Sequence, residues 1–387
     1  MLSRYKNSYL SYVIFYVGYY AVFSVFGSVL AVYLAGLGLG DREVSLVLSA
    51  GGIFSLAITP ISGWLHDRSK SQKQVLTVTL CLIALLAMAF SACRSVGLLF
   101  LLGGMVNALV NSVTPVCERV AGSSKYRYGL LRVWGTIGYA MGAQAAGLAI
   151  ERLPSWAPFA LTAGSCGLCL LGLWGAQVSP PPQKTSATAG KKPRLRELGK
   201  SPQFFLFLGA GFLFAGCSGV NINFSPLLLS RLGVPAGAVG TVLFFSTLTE
   251  IPMILFSHKF MDRLSGKTLT GACFVLAVGQ YLVYGLAESA GVVVTVMVLM
   301  KAVTSTLYMM LSLKMVRGIV PVELTTTGLS VVAAVNNLAG ILLQNAGGYV
   351  SEQWGVGTLY LGMAGLCAGG LVLTAFLRVR NDEKVFG

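Results

Sequence analysis

Apolar residues run in blocks along the whole chain, and short polar breaks separate them. The blocks lie near 9–34, 44–65, 75–93, 97–118, 129–150, 157–177, 204–229, 238–258, 269–287, 291–313, 326–349 and 357–377. Each is about 20 residues long, the length a helix needs to cross the hydrocarbon of a bilayer. Lipid offers backbone N–H and C=O groups no partner, so a spanning segment must satisfy them internally, as a helix does. The pattern therefore predicts an all-α membrane protein with twelve transmembrane helices. The first block, from Tyr9 to Leu37, is too long for the apolar core of a cleavable signal peptide.

One long polar stretch interrupts this rhythm. Residues 178–202 are rich in Pro, Ser, Thr, Gly and Lys, the composition of a flexible linker. It separates six blocks from six. The organisation read from this is an N-terminal six-helix bundle over 1–177, a cytoplasmic linker over 178–202 and a C-terminal six-helix bundle over 203–387. The two halves also echo each other. Asp67-Arg68 follows the second block and Asp262-Arg263 the eighth, 195 residues later. The same offset carries Tyr33, Leu37 and Gly38 onto Leu228, Leu232 and Gly233. Internal repeats of this kind build many secondary transporters, so the two bundles are expected to be pseudo-symmetric.

Composition agrees with the pattern. Of 387 residues, 55% are hydrophobic and only 11% charged, against about a quarter charged in an ordinary soluble protein. The mean hydropathy is +0.76. The formal charge of +15 would suggest nucleic-acid binding in a soluble chain. Here its distribution reports orientation instead. Arg42, Arg94, Arg152 and Arg231 fall in one set of alternate loops, Arg132 and Lys301 fall inside blocks, and every other Lys and Arg falls on the side of the N-terminus. Basic residues stay on the cytoplasmic side, so both termini and the linker are expected there, in a plasma (inner) membrane. The eight cysteines lie in or beside apolar runs and read as small buried residues rather than redox or zinc ligands.

Ionisable groups within spans are costly and usually face a cavity or a partner. There are four. Glu118 ends the fourth span and Arg132 begins the fifth, at similar depth, so they can pair; the alternative is a pair of interfacial charges met by Arg119, Lys125 or headgroups. Glu250 lies near the middle of the eighth span and Lys301 near the middle of the tenth. They can pair with each other as a structural bridge, or serve transport. A carboxyl group in a low-dielectric site exchanges protons near neutral pH, which makes Glu250 the first candidate for proton coupling and Glu118 the second.

Polar stripes mark helix faces. Asn107, Asn111, Thr114 and Glu118 are spaced 4, 3 and 4 apart, which is one face of a helix. Asn336, Asn337, Gln344 and Asn345 form another stripe in the eleventh span, and Asn221 and Asn223 lie in the seventh. Tyr9, Tyr12, Tyr16 and Tyr19 share a face of the first span, with Tyr20 and Phe23 beside it. Amides and hydroxyls among aromatic rings suit a hydroxylated or ring-shaped ligand. The same amides could equally make interhelical hydrogen bonds, and Tyr9 and Tyr12 could anchor at the interface. Gly135, Gly138, Gly142 and Gly147 look like a close-packing face of the fifth span.

Some chemistry is missing from the sequence. The two histidines, His66 and His258, belong to no zinc-binding spacing, so neither a metal site nor a cofactor is expected. Gly266-Lys267-Thr268 lacks the earlier glycine of a phosphate-binding loop, since position 261 is Met261. ATP hydrolysis is thereby excluded, no enzyme activity is expected, and any work must come from a gradient.

The segment Tyr128-Gly-Leu-Leu-Arg132-Val-Trp134-Gly-Thr-Ile-Gly-Tyr139 resembles the Y-G-R-x-R-x-W-G-S-x-G-[YF] signature of the lactose-permease-like proton symporters of the major facilitator superfamily, a group with nucleoside and arylpropionate relatives. Pro115-Val-Cys-Glu118 resembles the P-x-x-[DE] of their helix four. Gly63-Trp-Leu-His-Asp67-Arg68 looks like the superfamily's loop 2–3 motif, and Asp262-Arg263-Leu-Ser-Gly-Lys267 like its echo in loop 8–9. The resemblance implies the superfamily's fold of two six-helix bundles. It implies that Glu118 and Arg132 form the charge pair that binds sugar hydroxyls and that Tyr139 stacks on the pyranose ring. It also implies that Glu250 joins substrate binding to proton coupling, with Lys301 as the helix-ten lysine. Three departures stand out. The first arginine of the signature is Leu130, the loop between Glu118 and Arg132 is shorter, and the helix-ten His and Glu of the proton relay are Thr304 and Leu307. The relay is therefore missing, and either Glu250 takes the proton alone or coupling differs.

The expected function is proton-coupled uptake of a small hydroxylated solute, a sugar or nucleoside, by alternating access. Asn107, Asn111, Tyr16, Tyr19, Asn221, Asn336 and Asn337 would complete the substrate site, and Asp67, Arg68, Asp262 and Arg263 would form cytoplasmic gating contacts. The expected partners are that solute, protons and the lipid bilayer, for a monomer that binds no nucleic acid. Two rivals are an exporter of amphipathic or aromatic compounds and a non-transporting membrane sensor.

Overall fold

The computed structural model describes residues 5–69, 71–122, 124–126, 128–177, 201–253, 256, 261, 263–320 and 325–378. The regular elements among them are all helices: α1 (Tyr9–Gly27), α2 (Leu30–Gly36), α3 (Asp41–Arg68), α4 (Gln72–Ala92), α5 (Val96–Gly122), α6 (Tyr128–Arg152), α7 (Ala157–Gly175), α8 (Pro202–Arg231), α9 (Ala236–Leu248), α10 (Gly266–Leu286), α11 (Ala290–Ile319) and α12 (Thr325–Ala375). Ten described helical segments are long and apolar enough to cross a membrane. The last of them, Gly328–Ala375, breaks at Gly355, whose φ of 84° lies outside the helical range, so it supplies two crossings. The 25-residue α6 is the twelfth. It is more polar than its neighbours because it carries Arg132, Thr136 and Gln144. Asp262 and residues 178–200 lie outside the described residues. Asp67 and Arg68 form the last turn of α3, but their side chains are not among those described.

The helix ends follow local chemistry. Ser8 Oγ accepts the Ser11 N–H at 3.3 Å and caps α1; Ser265 Oγ accepts the Thr268 N–H at 3.0 Å and caps α10. The turns after α2 and α8 repeat each other. Gly38 and Gly233 have φ values of 87° and 81°. The Gly38 N–H donates to the Ala35 carbonyl at 2.9 Å and that of Leu39 to Leu34 at 3.4 Å. Correspondingly, Gly233 donates to Ser230 at 3.1 Å and Val234 to Leu229 at 3.0 Å. Both are glycine stop motifs that satisfy the last carbonyls of a helix. The offset of 195 residues is thus kept in backbone geometry as well as in sequence.

The chain packs as two compact units. One comprises Met1–Gln183 with Asn223–Leu248, the other Lys184–Ile222 with Thr249–Gly387. In the first unit α1 is central: Phe15, Tyr16 and Val22 are fully buried, and Tyr12, Tyr19 and Phe26 nearly so. It lies against α6 and α7 at close range. A Cβ on Gly138 would fall 2.7 Å from the Val17 backbone, and one on Gly18 would fall 2.5 Å from the Cys169 nitrogen. Small residues at these crossings are what lets the helix axes approach. Outward-facing Val78, Leu82 and Leu85 of α4 and Leu171 and Trp174 of α7 are exposed, the apolar surface expected of a lipid-embedded bundle.

At one end of this unit α9 is fastened to α6. Glu151 Oε2 accepts the Gly237 N–H at 2.6 Å, placing a carboxylate at the positive end of the α9 dipole. A Cβ on Gly147 would fall 2.5 Å from the Ala236 carbonyl. Beside this contact Arg231, at the end of α8, is ion-paired with Asp41 at the start of α3. In the second unit, Lys314 of α11 reaches the loop after α9. Its buried ammonium donates to the carbonyls of Met261 and, at 2.8 Å, Leu264.

Candidate functional site

The strongest polar cluster in the first unit draws on three helices. Glu118 projects from α5, Arg132 from the first turns of α6, and Tyr16, Tyr19 and Tyr20 from α1. The Glu118 carboxylate and the Arg132 guanidinium approach to 4.0 Å, with 31% and 23% of their side chains exposed. At that separation two unit charges attract by about 4 kcal/mol in an effective dielectric near 20, before desolvation is counted. The predicted pair therefore exists, although it is open rather than tightly clasped.

Tyrosine hydroxyls fill the gap. Tyr20 O–H donates to Glu118 Oε1 at 2.8 Å, and Tyr16 O–H reaches Oε2 at 3.5 Å while donating to the Cys117 carbonyl at 3.3 Å. The Arg132 guanidinium carbon sits 4.8 Å from the centroid of the Tyr20 ring, in cation–π range. Gly135, one turn beyond Arg132, makes room for that ring: a Cβ there would lie 2.7 Å from it. Tyr19 lies one step deeper, its hydroxyl paired with Thr114 and donating to the Val110 carbonyl at 3.0 Å. Tyr139 follows Arg132 by seven residues, two turns on the same face. Its half-buried ring packs against Phe23 with centroids 6.1 Å apart.

Other predicted residues go elsewhere. Asn111 donates from Nδ2 to Ser55 Oγ of α3 at 3.2 Å, and Asn107 donates to the Gly103 carbonyl at 3.1 Å. A Cβ on Gly51 of α3 would press on the Asn107 side chain at 2.8 Å. Asn111 thus ties α5 to α3, while Asn107 bonds within α5 and packs against α3 at Gly51. Tyr9 accepts from Trp134 Nε1 at 2.8 Å, and Tyr12 donates to Asn7 Oδ1 at 2.9 Å, so the outer tyrosines of the α1 stripe brace α6 and the N-terminal segment.

In the second unit, Glu250 follows α9 and Lys301 lies within α11; both are half-buried and neither stands without a partner. Their neighbour Thr249 ties this turn to α11 by donating to the Val298 carbonyl at 3.1 Å. Thr304 donates to its own helix at Met300, 2.7 Å away, and Leu307 is buried, so the two positions of the missing relay carry packing. Asn221 is buried and accepts from Tyr360 at 3.3 Å. Asn336 and Asn337 are half-buried on α12. Asn336 lies beside Tyr308: a Cβ on Gly211 would meet both, at 2.7 Å from the Tyr308 oxygen and 3.6 Å from Asn336 Oδ1. Tyr308 itself stacks on Phe214, with ring centroids 4.2 Å apart. Of the gating residues, Arg263 is exposed, Asp262 is outside the described residues, and the side chains of Asp67 and Arg68 are undescribed.

Tyr20, expected only beside the stripe, contacts both Glu118 and Arg132. The four-residue step from Tyr16 to Tyr20 carries that signal, since i and i+4 share a face. Lys314 and the Asp41–Arg231 pair have no such mark in the sequence. Among the described residues no group of His, Cys, Asp and Glu is placed to hold a metal ion.

The chain matches the model of the MFS_1 like family over residues 9–361. It is 25% identical over 352 residues to an uncharacterized transporter, YwbF, of Bacillus subtilis (strain 168), covering 89% of this chain and 87% of the relative. It is also 25% identical over 381 residues to the maltose permease of Geobacillus stearothermophilus, covering 95% of each. In fold it is similar to the crystal structure of the nucleoside transporter NupG, with a TM-score of 0.81 at 16% identity over 95% of this chain and 98% of that one.

Proposed function

The chain belongs to the MFS_1 like family, and from that membership we propose that it is a secondary transporter that carries a small hydroxylated solute, a sugar or nucleoside, into the cell with a proton. The observation that carries this reading is the half-open Glu118–Arg132 pair. A carboxylate and a guanidinium 4.0 Å apart, each partly exposed, offer an acceptor and a donor fork at the spacing of neighbouring hydroxyls on a ring. Because the two charges balance, the site favours a neutral polyol over a carboxylate. Tyr139 and Phe23 supply an aromatic wall on the same side, where a sugar or base ring can stack.

The remaining assignments complete the mechanism. Bundles 1–177 and 203–387, joined by the linker 178–202, rock about a midplane cavity. Glu250, with Lys301 of α11, takes the coupling proton, and Asn336 and Asn337 contact solute from the second half. Asp67-Arg68 and Asp262-Arg263 close the cytoplasmic side. Both termini are cytoplasmic, as the basic residues argue, in the inner membrane. The protein works as a monomer. Charged Glu250 without solute disfavours the transition, and proton with solute releases it. Export of aromatic compounds has less support, because Tyr9 and Tyr12 are spent on Trp134 and Asn7.

The test is uptake of radiolabelled maltose and uridine into proteoliposomes under an imposed proton gradient. Uptake should rise as the outside is acidified. Arg132→Ala should lower it by about 10- to 100-fold, the loss of a charged hydrogen bond. Glu250→Gln should abolish the pH dependence. Parental rates in both variants would remove these residues from the site.

A further inference from the structure

The charge pair stands about one turn from either end of a short connection. Glu118 lies shortly before the end of α5 at Gly122, and Arg132 shortly after the start of α6 at Tyr128. The spacing of the two side chains therefore depends on how that connection is seated. Both helices bear on α1. α6 does so at Gly135, where a Cβ would lie 2.7 Å from the Tyr20 ring, and at Gly138, where one would meet the Val17 backbone. α5 does so by accepting the Tyr16 O–H at the Cys117 carbonyl and the Tyr19 O–H at the Val110 carbonyl.

The connection bears on α1 as well, through Tyr126. Its ring meets those of Tyr9 and Tyr12 with centroids 5.1 and 5.8 Å apart and interplanar angles of 71° and 70°. Edge-to-face contact is what the ring quadrupoles favour. The two walls of this slot are themselves tied down. Trp134 Nε1 donates to the Tyr9 oxygen at 2.8 Å. Tyr12 donates to Asn7 Oδ1 at 2.9 Å, and its oxygen accepts the Gln177 N–H at 3.3 Å. Asn7 has a left-handed φ of 57°, which asparagine tolerates better than most residues, and its N–H donates to the Gly175 carbonyl at 2.8 Å. The slot is thus braced from α6, from the end of α7 and from the N-terminal segment. Ser124 Oγ donates to the Tyr126 carbonyl at 3.2 Å and accepts the Tyr126 N–H at 3.3 Å, a local turn that presents the ring.

We infer that Tyr126 is a positioning residue for the solute site: its ring, seated between Tyr9 and Tyr12, fixes the connection between α5 and α6 and with it the 4.0 Å spacing at which Glu118 and Arg132 meet a solute. This rests on the transporter reading above. Attraction alone draws a guanidinium and a carboxylate into hydrogen-bond contact, so a wider spacing has to be imposed by the helices that carry them. Here α1 acts as the ruler, and Tyr126 is the point at which the connection is pinned to it. The ring does this work more than the hydroxyl, whose approach to the Asn7 carbonyl is 3.5 Å, at the limit of a hydrogen bond. Lys125 Nζ lies 5.2 Å from the ring centroid and adds a cation–π contact to the same seat.

The experiment uses the full chain in proteoliposomes, with maltose and uridine as probes. Tyr126→Phe keeps the ring and should leave KM within about twofold of the parent. Tyr126→Ala empties the slot, so KM for whichever probe the parent carries should rise about tenfold, the share of one charged hydrogen bond, while the maximal rate stays within about threefold. In an Arg132→Ala background the same substitution should add less than about twofold, because no pair is left to position. An unchanged KM in Tyr126→Ala, or the full effect in the Arg132→Ala background, overturns the proposal. A solute-free arm separates this from the transporter reading. Arg132 is partly exposed, and its modification by phenylglyoxal, followed by mass spectrometry, should run several-fold faster in Tyr126→Ala and at the parental rate in Tyr126→Phe. Equal rates in all three proteins overturn the positioning role. If the parent carries neither probe, the substrate assignment fails, and the labelling arm still decides the role of Tyr126. If Tyr126→Ala yields no monodisperse protein, Tyr126→Leu, which keeps bulk without the ring, takes its place with the same expected directions.

Discussion

Neutralising Asp41 should loosen the end of the first unit at which α3, α8 and α9 meet. The Asp41 side chain is only 3% exposed, while its partner Arg231 keeps 44% of its side chain in contact with solvent. A hydrogen bond to a charged group contributes about 1.5–3 kcal/mol when both partners are shielded. Exposure of the guanidinium screens part of that attraction, so the estimate falls toward about 1–2 kcal/mol. Asp41→Asn keeps the size and one acceptor but not the charge. It should lower the free energy holding the Asn223–Leu248 segment in this unit by that amount, a factor of about 5–30 in the local opening equilibrium. Hydrogen exchange of the amides of 228–240 in detergent reads that factor directly. Arg231→Gln should produce a similar acceleration, and the double variant should add little to either single one. Additive effects, with a coupling below about 0.3 kcal/mol, would mean that the pair does not hold the helices together and that the reasoning is wrong.

Two further outcomes follow from packing and from buried polar groups. Gly138→Val drives a branched side chain into the Val17 backbone of α1, so it should destabilise the unit by several kcal/mol, visible as loss of a monodisperse, heat-stable species on size exclusion; a parental profile would show that the α1–α6 crossing has slack. Lys314→Met keeps the length of the chain but leaves the Met261 and Leu264 carbonyls without their donor, at a cost of about 1–3 kcal/mol, and amide exchange at 264–268 should speed up while that of α1 does not.

Most of the fold was readable because lipid enforces a simple rule. The apolar blocks near 44–65 and 269–287 became α3 and α10, with ends shifted by a few residues where helices outrun the hydrocarbon. The glycine face of α6 was legible for the same reason: Gly135, Gly138 and Gly142 lie against α1, and Gly147 against α9. The Glu118–Arg132 pair was legible because charges at equal depth on consecutive helices have few other partners. What periodicity could not tell was which neighbour a face meets. Asn107 and Asn111 lie on the same stripe as Glu118, yet Asn111 bonds to Ser55 of α3 and Asn107 to a carbonyl of its own helix. Tyr9 and Tyr12 share a stripe with Tyr16, yet Trp134 and Asn7 take them. The docking of α9 on α6 depends on contacts between segments some ninety residues apart, which no local pattern encodes.

The paired glycine stops at Gly38 and Gly233 bear on how such a chain is made. Each closes with hydrogen bonds reaching back no more than five residues, so a reversal of direction needs nothing still inside the ribosome. As the nascent polypeptide enters the translocon, α1–α2 can turn into α3 while most of the message is untranslated, and α8 can later turn into α9 by the same local rule. Assembly of the distant contacts then becomes a separate and later event, acting on hairpins already threaded through the bilayer.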